Sequence, residues 1–164
     1  MRPVIATVET TVPTSLHQAW ARFVPIDLTA IFKGFGPLPA VTSVHDQTGP
    51  WDRVGESRKV DLADGSTLTE TITDVTLPSG GEARFGYVIR GFSGLIGRLV
   101  KEARGAWVFR EAQDGTQVRW DYKFEATNGW TRPVLAGVIR PLWRRYMVDA
   151  LSRTGTILSA KEAV

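Results

Sequence analysis

The sequence predicts an α+β fold: a curved, seven-stranded antiparallel sheet wrapped around one long C-terminal helix, with two short helices after the first strand. Three observations carry this. Stretches rich in β-branched and aromatic residues recur between positions 39 and 126, separated by tight-turn sequences rather than helical ones. The last third, Arg132–Ala160, changes to Leu, Ala, Arg, Met and Trp at a period of about 3.6 residues. A sheet with one apolar face needs an apolar cover, and that terminal helix is the obvious one.

Taken in order, Val4–Val12 is rich in β-branched residues and reads as the first strand, which Pro13 ends because proline has no N–H for the ladder. Ser15 and Gln18 form a capping-box pair, and Leu16, Ala19, Trp20 and Phe23 then share one helical face until Pro25. A second short helix is expected around Asp27–Phe32, followed by a loop in GFGPLP. Six strands follow: Pro39–His45, Gly55–Leu62, Thr67–Val75, Ala83–Arg90, Ala103–Ala112 and Thr116–Ala126. The turns ADGS (63–66), PSGG (78–81) and QDGT (113–116) connect them as sequential hairpins. In the final helix Pro133 suits the first turn, whereas the ring of Pro141 clashes with the carbonyl of Gly137 and should kink it.

At 164 residues the chain fits one domain, 1–164, large enough to bury a core without crosslinks. It has no cysteine, which excludes disulfides, thiolate metal sites and cysteine nucleophiles, and is compatible with the cytoplasm. No signal-like segment and no membrane-length apolar run is present, so a soluble, unprocessed protein is expected. The net charge of +3, from 20 basic and 17 acidic residues, is too small and too dispersed for a nucleic-acid binder. No cofactor is expected, and without cysteines or an H-E-x-x-H spacing no metal is either.

The segments VPTSLHQAWARF, VGESRKVDLADGSTLTETIT, FGYVIRGFSG, GAWVFREAQDGTQVRWDYKFE and WTRPVLAGVIRPL, in that order, resemble the polyketide cyclase/dehydrase branch of the START-like, Bet v 1-like (SRPBCC) superfamily, whose fold is the helix-grip. The resemblance covers nearly the whole chain. It implies a cavity between the sheet and the long helix for a hydrophobic small molecule such as a lipid, a polyketide or an aromatic compound. It supplies no fixed catalytic triad or metal motif.

Strand alternation puts Phe85, Tyr87 and Ile89, then Trp107 and Phe109, then Val118, Trp120, Tyr122 and Phe124 on one face. That face should meet the helix, where the rings either fill a core or line a pocket. With Phe92, Leu142 and Tyr146 these aromatics are the candidate ligand-binding residues. Glu70 shares its face with Leu68 and Ile72 and should point inward. Arg58, on the face of Val60 and Leu62, can pair with it across the ADGS hairpin. The pair is a structural ion pair, or lies outside if the strand register is shifted by one, or is the makings of a catalytic base, with Arg58 or Tyr87 stabilising an oxyanion. Tyr87 and Tyr122 offer hydroxyls that a ligand carbonyl or the backbone would satisfy. His17 and His45 are expected at the surface. Gly91–Gly105 reads as a short amphipathic segment, either a lid or a plain connection. Its Arg98, Lys101 and Arg104, with Arg140, Arg144 and Arg145, suit transient contact with an anionic membrane.

Three functions fit these residues. The first is non-catalytic binding of a hydrophobic small molecule. The second is a cofactor-independent cyclase, dehydratase or isomerase using Glu70, and the third a protein-interaction domain without a pocket. A cavity of at least roughly 300 Å³ between sheet and helix separates the first two from the third. Homodimerisation through the sheet edge stays open.

Overall fold

The computed structural model describes residues 2–162. The elements run β1 (Val4–Val12), α1 (Leu16–Phe23), α2 (Leu28–Ile31), β2 (Val41–His45), β3 (Ser57–Leu62), β4 (Thr67–Ser79), β5 (Glu82–Arg90), α3 (Gly94–Leu99), β6 (Val100–Ala112), β7 (Gly115–Ala126), α4 (Thr131–Val138), a π-helical turn (Ile139–Trp143) and α5 (Arg144–Glu162). The strands form one seven-stranded antiparallel sheet in the order β1-β7-β6-β5-β4-β3-β2. The chain therefore crosses from one sheet edge to the other between β1 and β2, and α1 and α2 ride on that crossing. No helix among the described residues is long and apolar enough to cross a membrane.

Local chemistry sets the boundaries. Ser15 and Gln18 form the expected reciprocal capping box at the start of α1. At the β4–β5 hairpin both Gly80 (φ +58°) and Gly81 (φ +80°) are left-handed, the conformation of a two-residue turn that matches strand twist. Register shifts between Ile72 and Asp74 and between Val100 and Lys101/Glu102 insert bulged residues, which bend the sheet around the core. The bulge lets β4 run on to Ser79, beyond the Val75 expected from alternation. Likewise β6 begins at Val100 rather than Ala103, so the segment 91–105 is only one and a half turns of helix followed by strand.

The C-terminal helix is interrupted as Pro141 requires. The break is a π turn in which the Arg144 N–H reaches the Ile139 carbonyl, five residues back, so the widened ring accommodates the residue that lacks a donor. Leu135, Ile139, Tyr146, Met147, Ala150, Leu151 and Thr154 nevertheless keep one buried face along the whole length. Against it lie inward residues of β1 and β7, while α1 packs over β5 and β6.

Candidate functional site

Sheet register brings the candidate polar groups together. Arg58 on β3 stands directly opposite Glu70 on β4, and its Nε donates to Glu70 Oε2 at 2.8 Å. Both side chains are buried, 10% and 6% exposed, so this is an interior ion pair. The guanidinium also lies 3.9 Å from the ring centroid of Trp51, a cation–π contact stronger away from water. Trp51 comes from the loop between β2 and β3. Its backbone is left-handed (φ +68°), as is that of Asp46 (φ +52°), yet its ring is buried. Two non-glycine residues in that region store strain that ring burial has to offset.

Beside the ion pair, Tyr87 on β5 donates its hydroxyl to that of Tyr122 at 2.9 Å and accepts from Trp120 Nε1 at 3.1 Å. Tyr87 and Tyr122 lie two strands apart and meet across Gly105 of β6, the register partner of both. A Cβ at Gly105 would collide with the Tyr87 phenol, so a glycine there is what allows the two rings to approach at 5.9 Å, edge to face. Burial pushes the Tyr87 phenol above its ordinary range, and the charge of Glu70 pushes the same way. Tyr122 is raised by burial too, with Tyr87 and Glu70 adding to it. Both hydroxyls thus remain protonated donors.

Arg58, Glu70, Tyr87, Trp120, Phe85 and Trp107 line one small hollow with Trp51. The opposite wall is Phe23, Val24, Ile26, Leu28 and Ile31, from α1, α2 and the link between them. Two expectations need correcting here. The hollow lies between the sheet and the α1–α2 crossing, and no residue of the C-terminal helix lines it. Its volume is about 20 Å³, room for about one water, against the roughly 300 Å³ of a preformed ligand pocket. The cause is the rings themselves. Trp107 stacks on Trp120 at 4.2 Å, Phe23 packs edge-on to Trp107, and Trp143 packs against Tyr122 and Phe124, filling the space under the helix.

The other candidates sit outside the hollow. Ile89, Phe109 and Tyr122 are buried in the core beside it, and Phe92 and Leu142 are half-buried at its margin. Tyr146 serves the backbone: its hydroxyl donates to the Pro39 carbonyl at 2.7 Å and accepts from the Gly34 N–H at 3.1 Å, fixing the loop before β2. Arg104 does not join Arg98 and Lys101, because it faces the outer side of the sheet, where with Arg90 it holds Glu102 at 2.7 Å each. Burial opposes ionisation of Glu102, but those two guanidiniums outweigh it and hold the carboxyl below its usual range. His17 and His45 are exposed. A concavity of about 480 Å³, above the roughly 300 Å³ mark, does lie between the sheet and the terminal helix, as an open groove between β1 and α5, but it contains none of the candidate site residues.

Comparison with known proteins settles the fold. The family model for polyketide cyclase/dehydrase and lipid transport matches residues 3–158. The chain belongs to that family. Its sheet and terminal helix are the Bet v 1-like helix-grip that the sequence segments suggested. A Thalictrum norcoclaurine synthase point mutant in complex with a transition-state analogue is similar over 100% of this chain and 99% of that one, with TM-score 0.68 and 12% identity. A ginseng (Panax ginseng) major latex-like protein covers 95% and 97%, with TM-score 0.64 and 9% identity. Protein Ms6760 from Mycobacterium smegmatis covers 96% and 92%, with TM-score 0.58 and 18% identity. No curated protein sequence matches the chain significantly. At these identities the likeness is one of fold, and membership in the family supports ligand binding or cyclase chemistry in general terms.

Proposed function

We propose that the chain binds a small, flat, largely apolar molecule at the hollow beneath Trp51, with a single polar end meeting Arg58, Glu70 and Tyr87. One observation carries this reading: a buried ion pair and a phenol converge on a space whose other walls are apolar and mostly aromatic. Two desolvated charges stabilise a fold poorly compared with apolar residues of the same size, so stability alone gives little reason to keep them. They are well suited to orienting a ligand carbonyl or hydroxyl. Rings on the walls favour a fused-ring or polyketide-like compound over a single acyl chain.

Binding requires the hollow to open, and Trp51 is the movable wall. It is the only lining residue on an irregular loop with strained backbone; the others come from strands or from the α1–α2 crossing. Swinging it out exposes roughly 200 Å² of ring, about 5 kcal/mol at roughly 25 cal/mol per Å², which a ligand covering the same surface returns. The test is a titration of tryptophan fluorescence with hydroxylated polycyclic ketones and with acyl-chain compounds. Ring compounds should saturate at micromolar concentration, and the variant Arg58→Met/Glu70→Leu should weaken them at least about tenfold. Equal binding by that variant, or no response to any ring compound, defeats the proposal.

A second reading, proton transfer next to a ligand carbonyl, is favoured by Glu70 and Tyr87 lining the same hollow. There Glu70 moves the proton while Tyr87, kept protonated by burial, turns its hydroxyl hydrogen from Tyr122 to the developing oxyanion. Glu70→Gln separates the two readings, since it abolishes turnover of a bound ketone in the second and changes only affinity in the first.

A further inference from the structure

The most exposed large apolar side chain among the described residues is Trp130, 93% exposed, followed by Leu95 at 72%; Val134, at 56%, is also exposed. These three share one end of the molecule. α3 packs against α4, and the Thr127 N–H donates to the Leu99 carbonyl at 3.0 Å, joining the foot of α4 to the end of α3. Trp130 is held out by a defined turn: Asn128 Oδ1 accepts from the N–H groups of both Trp130 and Thr131, each at 3.0 Å. Arg132 Nε ties the same turn to the Arg2 carbonyl at 2.9 Å. The indole is thus presented to solvent by a fixed turn.

The charges at this end differ from those elsewhere. On the outer face of the sheet Arg84, Arg90, Arg104, Arg110 and Arg119 each pair with a carboxylate. Arg98 and Lys101, at the end of α3, have no ion-pair partner among the described residues, and both are exposed; Arg140, Arg144 and Arg145 are exposed too but lie about 15–20 Å further along the C-terminal helix from Trp130. Residues 91–101 and 127–148 contain no Asp or Glu at all.

We propose that the α3–α4 tip is a docking surface for an anionic lipid bilayer, with Trp130 and Leu95 entering the headgroup region and Arg98 and Lys101 facing lipid phosphates. An indole with an apolar body and one N–H donor suits that interface, and cations of one sign without interleaved acids match a negatively charged surface. A protein partner would call for shape and mixed polarity, whereas this tip offers one projecting ring in a field of positive charge. The proposal stands independently of the ligand site.

Sedimentation of the full chain with phosphatidylcholine vesicles, with and without phosphatidylglycerol, tests it. The chain should bind only the vesicles containing phosphatidylglycerol and should be released by high salt. Trp130→Ala should lower the affinity at least about tenfold, given the ring buried on binding, and Arg98→Gln/Lys101→Gln should weaken it and flatten the salt dependence. Both variants alter exposed side chains, and unchanged circular dichroism and melting temperature verify that they fold. Failure of the wild type to bind phosphatidylglycerol vesicles overturns the proposal, as does equal binding by Trp130→Ala. So does a dimer in analytical ultracentrifugation that Trp130→Ala dissolves while vesicle binding is absent.

Discussion

Arg58→Met removes one half of the interior ion pair and leaves the Glu70 carboxylate, 6% exposed, without its counter-ion. Breaking a buried pair in this way costs about 3–5 kcal/mol, because the remaining charge stays desolvated. The guanidinium contact with the Trp51 ring is lost as well, worth about another 1–2 kcal/mol in a desolvated setting. Against a typical folding stability of about 5–15 kcal/mol this is a large fraction, and at about 2–4 °C per kcal/mol for a chain of this size it lowers Tm by about 10 °C or more. The double variant Arg58→Met/Glu70→Leu removes both charges and fills the space, so it should return to within about 1 kcal/mol of wild type or exceed it. Urea unfolding followed by circular dichroism measures all three proteins. A loss below about 1 kcal/mol for Arg58→Met would mean that the pair behaves as a solvent-screened surface bridge. A double variant as unstable as the single one would mean that the charges hold the fold together, removing the reason to assign them to a ligand.

Gly105→Ala should destabilise by about 1–3 kcal/mol, because the new methyl displaces the Tyr87 ring and breaks its bonds to Tyr122 and Trp120; the urea midpoint measures this. Absorbance at 295 nm should show no tyrosinate from Tyr87 or Tyr122 while the fold persists. Their folded-state pKa values lie above the unfolded value near 10, so the stabilisation they lend is complete below pH about 10 and lost as pH rises toward the folded values. A normally titrating phenol at either position would contradict the buried network. His45, hydrogen-bonded to Asp61 and next to Asp46, has its pKa raised above 6.5. An NMR titration should give a midpoint above that value, and Asp61→Asn should bring it back down.

The inward direction of Glu70 was legible because strand alternation with Leu68 and Ile72 leaves only one face for it, and the short ADGS turn fixes Arg58 opposite. The same alternation assigned Phe85, Tyr87, Trp107 and Trp120 to one side. Trp51 had no such signal: it sits among Gly49, Pro50, Asp52 and Gly55, outside any periodic segment, and only tertiary packing turns its ring inward. Phe23 was readable on an apolar helix face, whereas Ile31 carried no such signal, and which part of the sheet they cover depends on the path of the crossing from β1 to β2. Pro141 announced an interruption of the helix, while the π turn that absorbs it depends on the hydrogen-bond choice of Arg144. Gly105 stood at an inward position between large rings, a pattern that marks a close approach and that alternation alone passes over. The small volume of the hollow was illegible, because the same aromatic residues describe a filled core and a pocket wall equally well until their rings are placed.

The most direct test is native mass spectrometry of the protein purified gently from its own host, compared with Arg58→Met/Glu70→Leu prepared in the same way. The predicted result is a stoichiometric ring-containing compound on the wild-type chain, released on denaturation and missing from the double variant. A wild-type chain that is empty when isolated and still empty after incubation with host extract, or a compound retained equally by both proteins, would contradict a ligand site at Arg58 and Glu70.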